Sequence, residues 1–191
     1  MTGETADSLK SGRPALRLFF AVLPDSTTRG YLSAAATALS LKSNARLVPR
    51  SNLHMTLAFV GTVAAATLPI LREIGAAQRA AGCVVHIDAY EYWPQAEVIV
   101  SVARTAPDAL EQLSRRLYRD LAIHRWAPDA KRWRPHITLA RNVSQAAVLP
   151  ALAPFDWRVR DFCLMSSDTS GAQSAYTVVD TWPLLYGSEN A

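Results

Sequence analysis

One five-residue phrase occurs twice in this chain, and it constrains the fold more than any other feature. Residues 54–58 read HMTLA and residues 136–140 read HITLA, 82 positions later in a chain of 191 residues. Two of the four histidines head the two copies. The repeat predicts two similar lobes related by a pseudo-twofold axis, with one copy from each lobe facing a common cleft.

Each copy has the composition of a β-strand. Both are short, apolar, rich in β-branched residues and bounded by turn formers. Because strand side chains alternate between faces, His54 shares a face with Thr56, and His136 shares a face with Thr138. For a single copy, the more common explanation is that the histidine caps a strand edge and the threonine is only a good strand former. Two matched copies favour a site of two imidazoles and two hydroxyls.

The order of the predicted elements is βαββαββαβββ. Helices are predicted from Ser26 to about Leu41, from about Ala66 to Ala80 with Gly82 as its cap, and from Pro107 onward, where leucines 110, 113, 117 and 121 form a buried stripe. Strands are predicted at residues 16–23, 46–48, 53–60, 83–90, 97–104 and 136–142, and the chain ends in a hairpin of 157–165 with 175–182.

Long connections and paired strands favour an α+β fold over a doubly wound sheet. We expect a bilobal pseudo-twofold architecture, with two mainly antiparallel sheets flanked by helices around a central cleft. Residues 14–186 are predicted to form a single bilobal domain, residues 1–13 a disordered tail and residues 187–191 a frayed C-terminus.

The composition excludes several classes of protein. A net charge of +4 suits an anionic ligand but not a protein that coats nucleic acid. No apolar run of about 18 residues and no secretory signal is present, so we expect a cytoplasmic chain with no membrane association. Cys83 and Cys163 are predicted to be buried free thiols, and neither has the spacing of a zinc ligand.

Two histidines on opposed strands suit displacement at phosphorus. The unperturbed imidazole pKa of about 6.5 lets one neutral ring accept a proton while a charged ring donates one. The hydroxyls of Thr56 and Thr138 could hold the non-bridging oxygens. Metal catalysis is disfavoured because no HExxH, no His-x-His and no adjacent carboxylate accompanies either copy.

The cations around the second copy are open to two interpretations. Arg134 precedes His136 by two residues and shares its face if the strand extends that far. Arg141 lies on the opposite face of an ideal strand, so a bulge is needed to bring it into the site. Each could equally be a solvated surface charge. Trp133 could stack on a base, although partly buried packing is commoner for a loop tryptophan.

His86 and His124 lack a threonine partner, and we interpret both as structural or exposed.

Four stretches together resemble a known family. They read RLFFA at 17–21, VPRSNLHMTLAFVG at 48–61, RPHITLAR at 134–141 and YTVVDTWPL at 176–184. These stretches are similar to those of the two-histidine phosphoesterase superfamily, and in particular to the RNA 2′,3′-cyclic phosphodiesterases, long called 2′-5′ RNA ligases. One difference is Trp93, where relatives usually carry Phe before the proline.

The resemblance implies a bilobal α+β fold with an open cleft and no metal or other cofactor. It implies hydrolysis of a 2′,3′-cyclic phosphate at an RNA 3′ end to a 2′-phosphate. His54 and His136 become the catalytic pair, with His136 as base to water and His54 as acid to the 3′ oxygen. Thr56 and Thr138 become phosphate ligands, and Arg141 matches the family's arginine after the second copy.

The expected partners are therefore RNA 3′ ends, or nucleotides, that carry a 2′,3′-cyclic phosphate, and the chain is expected to be a monomer. Two alternatives stay open at this point. One is the reverse reaction, which joins ends through a 2′-5′ bond with the same residues. The other is a non-catalytic RNA or nucleotide-binding module, although such a module does not need two titrating groups.

Overall fold

A computed structural model describes residues 15–39, 45–126, 133–144, 149, 151–168 and 174–186. The predicted tail and frayed C-terminus lie outside these residues. The helices are α1 (Ser26–Thr37), α2 (Leu68–Ala77) and α3 (Asp108–Ile123). The strands are β1 (Ala15–Val22), β2 (Arg46–Leu47), β3 (Met55–Ala64), β4 (Cys83–Ile87), β5 (Ala89–Trp93), β6 (Val98–Val102), β7 (His136–Arg141), β8 (Phe155–Val159), β9 (Asp161–Asp168) and β10 (Ala175–Pro183).

Two four-stranded sheets carry the two copies of the repeated phrase. The first sheet has the order β10-β9-β1-β3 and the second has the order β2-β7-β6-β5. Every pair of neighbouring strands in both is antiparallel. The first copy runs into β3 and the second forms most of β7, so each sheet supplies one histidine. The predicted bilobal α+β architecture is confirmed.

The structure also contains a small third sheet that the sequence did not indicate. The predicted strand 83–90 is divided at Asp88, whose amide donates to Val102 O and whose Oδ1 accepts from the Arg104 amide. The predicted strand 157–165 is divided at Arg160. The detached halves, β4 and β8, pair with each other as a separate two-stranded sheet.

The predicted helix ends need correction. Helix α1 ends at Thr37, before the expected Leu41, and residues 40–44 lie outside the described part of the chain. Helix α2 ends at Ala77, and its cap is Gln78 rather than Gly82. Gly82 instead donates its amide to Leu185 O, and a Cβ at this position would collide with the Tyr186 ring. The close approach of the Tyr186 ring, and not helix capping, requires a glycine at position 82.

Helix α3 joins the two sheets through its apolar stripe. The four predicted leucines, 110, 113, 117 and 121, are fully buried, which confirms the helical period. They pack in one continuous core with residues from both four-stranded sheets, such as Leu57 and Ile137. No helix in the described ranges is long and apolar enough to cross a bilayer.

A β-bulge follows the threonine in both copies of the phrase. On β3, Thr56 lies opposite Ala21 and Ala58 opposite Phe20, which leaves Leu57 as the extra residue. On β7, Thr138 lies opposite Val100 and Ala140 opposite Ile99, which leaves Leu139 as the extra residue. An extra residue shifts the alternation of faces by one position. The residue five positions after each histidine therefore lies on the histidine's own face.

Hydrogen bonds from outside the strand hold the first bulge. The buried Ser114 of α3 donates its hydroxyl to Leu57 O at 2.7 Å, and Trp133 donates its indole N–H to Thr56 O at 2.8 Å. At the second bulge the Val48 amide donates to Leu139 O at 2.8 Å. A bulge removes carbonyls from the ladder, so these donors satisfy groups that would otherwise be buried without a partner.

We expect Ser114→Ala to lower the free energy of unfolding by about 1–3 kcal/mol, because it leaves the Leu57 carbonyl without a donor in the core. Ser101→Ala is the matched control. Ser101 is equally buried, but its hydroxyl has no partner among the described residues. Its removal should leave stability unchanged or higher. Urea unfolding of both variants checks this, and equal losses would contradict the proposed role of Ser114.

Candidate active site

One cavity is reached by residues of both four-stranded sheets. It brings together His54 from the first copy and Thr138 from the second, with the guanidinium-bearing Arg141 beside them. One residue from each copy therefore lines the cavity, and His136 is not among its lining residues. The complete lining is Arg46, Leu47, Val48, Pro49, Asn52, His54, Thr138, Arg141, Asn142, Ser174 and Tyr176.

The imidazole of His54 is fixed from three sides. Its Nδ1 lies 2.6 Å from Asn52 O. The rings of Phe19 and Tyr176 each lie with their centroids 5.0 Å from its own, and Tyr176 meets it edge-on at 90°. The Asn52 side-chain amide donates to Ser174 O at 2.6 Å. The start of β10 is thereby fastened to the turn that precedes His54.

The imidazole of His136 is held in the same way. Its Nδ1 lies 2.7 Å from Arg134 O, again the carbonyl two residues earlier. The Trp93 ring lies 4.5 Å away, centroid to centroid, at 54°.

These two contacts define the tautomer of both rings. A carbonyl oxygen can only accept a hydrogen bond, so Nδ1 must carry the hydrogen in each histidine. Nε2 is then the free nitrogen in both rings, an acceptor when the ring is neutral and a donor when it is charged. The site therefore holds two equivalent groups, each able to take or give one proton at Nε2.

Burial favours the neutral form of both histidines. Desolvation lowers the pKa of His54 to about 4, and the positive charges of Arg141 and His136 act in the same direction, against the bond to Asn52 O. Desolvation also lowers the pKa of His136, as do Arg134 and Arg141. The bond to Arg134 O and the carboxylate of Glu91 oppose that decrease. The charge on His136 influences His54, so the two rings share one electrostatic environment.

Three linked side chains, Glu91, Trp93 and Arg134, lie around His136. The carboxylate oxygen Oε2 of Glu91 accepts from the Trp93 indole at 2.6 Å and from the Arg134 guanidinium at 2.7 Å. The guanidinium carbon also lies 4.7 Å above the Trp93 ring. Glu91 thus ties the ring that contacts His136 to the residue whose carbonyl holds its Nδ1. Of this cluster, the sequence indicated only Arg134 as a site residue.

The bulge in β7 determines the face of the sheet on which Arg141 lies. Val98 and Val100 are two residues apart on β6 and face the same side, and their partners are Arg141 and Thr138. Arg141 therefore joins Thr138 on the cleft face and lines the cavity. The bulge that the sequence argument required is present.

The other predicted ligands occupy different positions. Thr56 is buried on the cleft face of β3 and is not among the residues that line the cavity. Arg134 is paired with Glu91 and lines a neighbouring cavity together with Trp133, Arg104 and Glu111. Trp133 is half-buried and packs against the core.

The remaining histidines lie elsewhere, as expected. His86 is exposed on β4 and pairs with Asp156 at 2.7 Å, and His124 stacks on Trp126 after the end of α3. Within the described residues, no three His, Cys, Asp or Glu side chains are grouped as metal ligands. Both cysteines are free, Cys163 buried and Cys83 half-buried.

Several residues of the site were not identified as site residues from the sequence. Tyr176 lies 122 positions after His54 and reaches it only because β10 folds back to the turn at Asn52. Glu91 and Trp93 precede the second copy by more than 40 residues and meet His136 across β6. Alternation along β5 puts Glu91 and Trp93 on one face, which was the available hint.

Several known proteins are similar to this chain along most of its length. The sequence profile of the 2′-5′ RNA ligase superfamily matches residues 29–171. An RNA 2′,3′-cyclic phosphodiesterase of Escherichia coli is 31% identical over 171 residues, which cover 88% of this chain and 96% of the relative. An RNA 2′,3′-cyclic phosphodiesterase of Thermus thermophilus is 28% identical over 193 residues, covering 92% of this chain and 95% of the relative.

The likeness extends to the fold. The crystal structure of E. coli LigT complexed with 3′-AMP superposes with a TM-score of 0.85 at 28% sequence identity, covering 91% of this chain and all of that chain. The superfamily match spans both copies of the phrase and most of the two lobes. The chain therefore belongs to the 2′-5′ RNA ligase superfamily.

Proposed function

We propose that this protein hydrolyses a 2′,3′-cyclic phosphate at an RNA 3′ end and leaves a 2′-phosphate. The observation that carries the proposal is the pair of histidines, which come from opposite lobes and have the same tautomer and free Nε2 atoms. The RNA 2′,3′-cyclic phosphodiesterases of E. coli and T. thermophilus, which match along nearly their whole length, support the same activity.

The two imidazole rings have different roles in the proposed reaction. His136 Nε2 accepts a proton from water as the water oxygen bonds to phosphorus. The bond between phosphorus and the 3′ oxygen breaks, and His54 Nε2 donates a proton to that oxygen. The product carries a 2′-phosphate and a free 3′ hydroxyl. Attack and departure in line need the two groups on opposite sides of phosphorus, as residues from opposite lobes allow.

The phosphate ligands follow from position on the cleft face. Thr138 and Arg141 line the cavity, and their hydroxyl and guanidinium would hold the non-bridging oxygens as charge develops. Thr56 is assigned the matching role from β3. Arg134 would reach the phosphate only after leaving Glu91. A base that stacks on Trp133 would occupy the neighbouring cavity, which Trp133 lines. The indole N–H of Trp133 is already bound to Thr56 O.

The reverse reaction, joining through a 2′-5′ bond, uses the same groups and is the second candidate. Analysis of products separates the two, because hydrolysis yields a 2′-phosphate and joining yields a longer chain. A non-catalytic binding module would bind the same ends with no turnover. We also propose a cytoplasmic monomer; the two free cysteines fit a reducing compartment.

Removal of either imidazole should abolish most of the activity. We expect His54→Ala and His136→Ala each to lower kcat by about 10²–10⁴-fold, the usual contribution of a general acid or base. His86→Ala is the control, because His86 is exposed and pairs with Asp156 outside the cavity. The assay follows an oligonucleotide with a terminal 2′,3′-cyclic phosphate, with chelator present. Undiminished turnover in the His54→Ala and His136→Ala variants would refute the assignment.

The lowered pKa values predict an acidic optimum for the free enzyme. Turnover needs one neutral and one protonated ring, and kcat/KM reports the pKa values of the free enzyme. Because burial holds both pKa values below 6.5, kcat/KM should fall as the pH rises above that value. A bound anionic phosphate raises the pKa of the protonated ring, so kcat should have its optimum at higher pH. Measurement of kcat and kcat/KM between about pH 4.5 and 9 checks both expectations. If the two parameters have the same optimum, the proposed effect of the bound phosphate is contradicted.

Replacing Glu91 should show which limb of the pH profile His136 controls. The Glu91 carboxylate raises the pKa of His136, so Glu91→Gln should lower that pKa further. Glu91→Gln should therefore move the limb of the kcat/KM profile that His136 controls to lower pH and leave the other limb in place. Glu111→Gln is the control: it removes the same charge from a residue paired with Arg115, and Glu111 is not among the charges that act on His136. If neither limb moves, the proposed part of His136 in proton transfer is contradicted.

A further inference from the structure

Arg46 lies directly opposite Arg141 on the antiparallel strands β2 and β7. Directly opposed side chains lie on the same face of a sheet, with their Cβ atoms about 4.5–5.5 Å apart. Arg46 is therefore on the cleft face beside Arg141. Both arginines are exposed, and both line the cavity that contains His54 and Thr138. The second sheet thus presents two neighbouring arginine side chains to one cavity.

The opposition of two like charges favours an anionic ligand at this place. Like charges directly opposite each other destabilise a strand pair, and an anion between them reverses that effect. The described residues that line the cavity include no aspartate or glutamate. A charged residue on an edge strand, such as β2, commonly prevents pairing with another chain. That role does not require the charge to face a second arginine inside a cavity.

The two arginines differ in how strongly they act on the catalytic pair. The charge of Arg141 lowers the pKa of both His54 and His136, whereas Arg46 is not among the charges that act on either ring. Arg141 is therefore near enough to share the reacting phosphate with the histidines. Arg46 lies one strand farther out, about 4.8 Å toward the edge of the sheet. A ligand that also engages Arg46 needs a second anionic group.

The size of the cavity favours a sugar–phosphate backbone as its occupant. Its volume is about 160 Å³, below the roughly 300–1,000 Å³ of cavities that enclose a drug-sized ligand. A whole nucleotide is therefore too large for it. Asn142, which follows Arg141 in the left-handed conformation with a φ of 58°, also lines the cavity. Its side-chain amide adds a neutral donor beside the two guanidinium groups.

We propose that Arg46 binds the phosphate on the 5′ oxygen of the terminal nucleotide while Arg141 binds the reacting 2′,3′-cyclic phosphate. The inference rests on the proposed function, since it places the cyclic phosphate beside Thr138 and Arg141. In an RNA end, this second group is the phosphodiester that joins the last two nucleotides. A free cyclic nucleotide carries it only when its 5′ oxygen is phosphorylated. Arg46 therefore makes the protein select cyclic ends that carry a second phosphate.

The test compares kcat/KM for three substrates that undergo the same reaction. They are adenosine 2′,3′-cyclic phosphate, the same compound with a 5′-phosphate, and the dinucleotide ApA with a terminal 2′,3′-cyclic phosphate. The unaltered protein should prefer the second and third substrates to the first. Arg46→Gln should lower that preference by about ten- to a hundredfold, the range for a hydrogen bond to a charged group. Arg46→Lys keeps the charge and should retain part of the preference, which also shows that position 46 tolerates substitution.

The salt dependence of kcat/KM provides a second measurement. Each phosphate of a single strand that a protein neutralises contributes a slope of about −0.7 to the dependence of log affinity on log salt concentration. The slope for the dinucleotide should therefore be steeper than the slope for adenosine 2′,3′-cyclic phosphate by about this amount. Arg46→Gln should remove the difference between the two slopes.

Arg115→Gln is the matched control. It removes the same charge from a side chain of α3 that is 74% exposed and paired with Glu111, so the preference should not change. An unchanged preference in Arg46→Gln, or an equal loss on all three substrates, would overturn the role of Arg46 while leaving the proposed function intact. An Arg46-dependent preference for the dinucleotide alone would assign the site to the internucleotide phosphodiester. If the unaltered protein turns over none of the substrates, the proposed function fails instead.

Discussion

The hydrogen bond from each histidine Nδ1 to the carbonyl two residues earlier is the contact on which the chemistry of this site depends. It fixes the tautomer, so Nε2 is the nitrogen that the proposed chemistry would use in both rings. The bond places no demand on the sequence, because any residue supplies a carbonyl. Asn52 and Arg134 differ in side-chain size and charge, yet their carbonyl oxygens lie 2.6 and 2.7 Å from the Nδ1 atoms of their histidines.

The bulges extend this arrangement from the histidine to the residue five positions later. A regular strand would turn Phe59 and Arg141 into the core, where a guanidinium is costly. The extra leucine prevents this, and its freed carbonyl takes a donor from a distant element: Ser114 in one lobe and the Val48 amide in the other. The repeated phrase therefore encodes a strand and its interruption together, which explains why the leucine and alanine recur along with the histidine and threonine.

The sequence predicted much of this arrangement for local reasons. Alternation paired each histidine with its threonine, the helical period gave the buried leucines of α3, and the repeat gave two lobes. Contacts between residues far apart in the chain could not be predicted from local sequence patterns. The pairing of β4 with β8, the approach of Tyr176 to His54, and the support of His136 by Glu91 and Trp93 join residues far apart in the chain. Arg141 needed a bulge that periodicity alone cannot locate.

The likeness of the two imidazoles has a consequence for the direction of the reaction. Each ring exposes the same nitrogen, so the pair can move its two protons either way, and by microscopic reversibility the site accelerates the forward and backward steps equally. Water activity and the supply of free hydroxyl ends then decide the net outcome by mass action. For the proposed reaction, the same cleft would serve both directions, and the concentrations of substrates and products would set which one prevails.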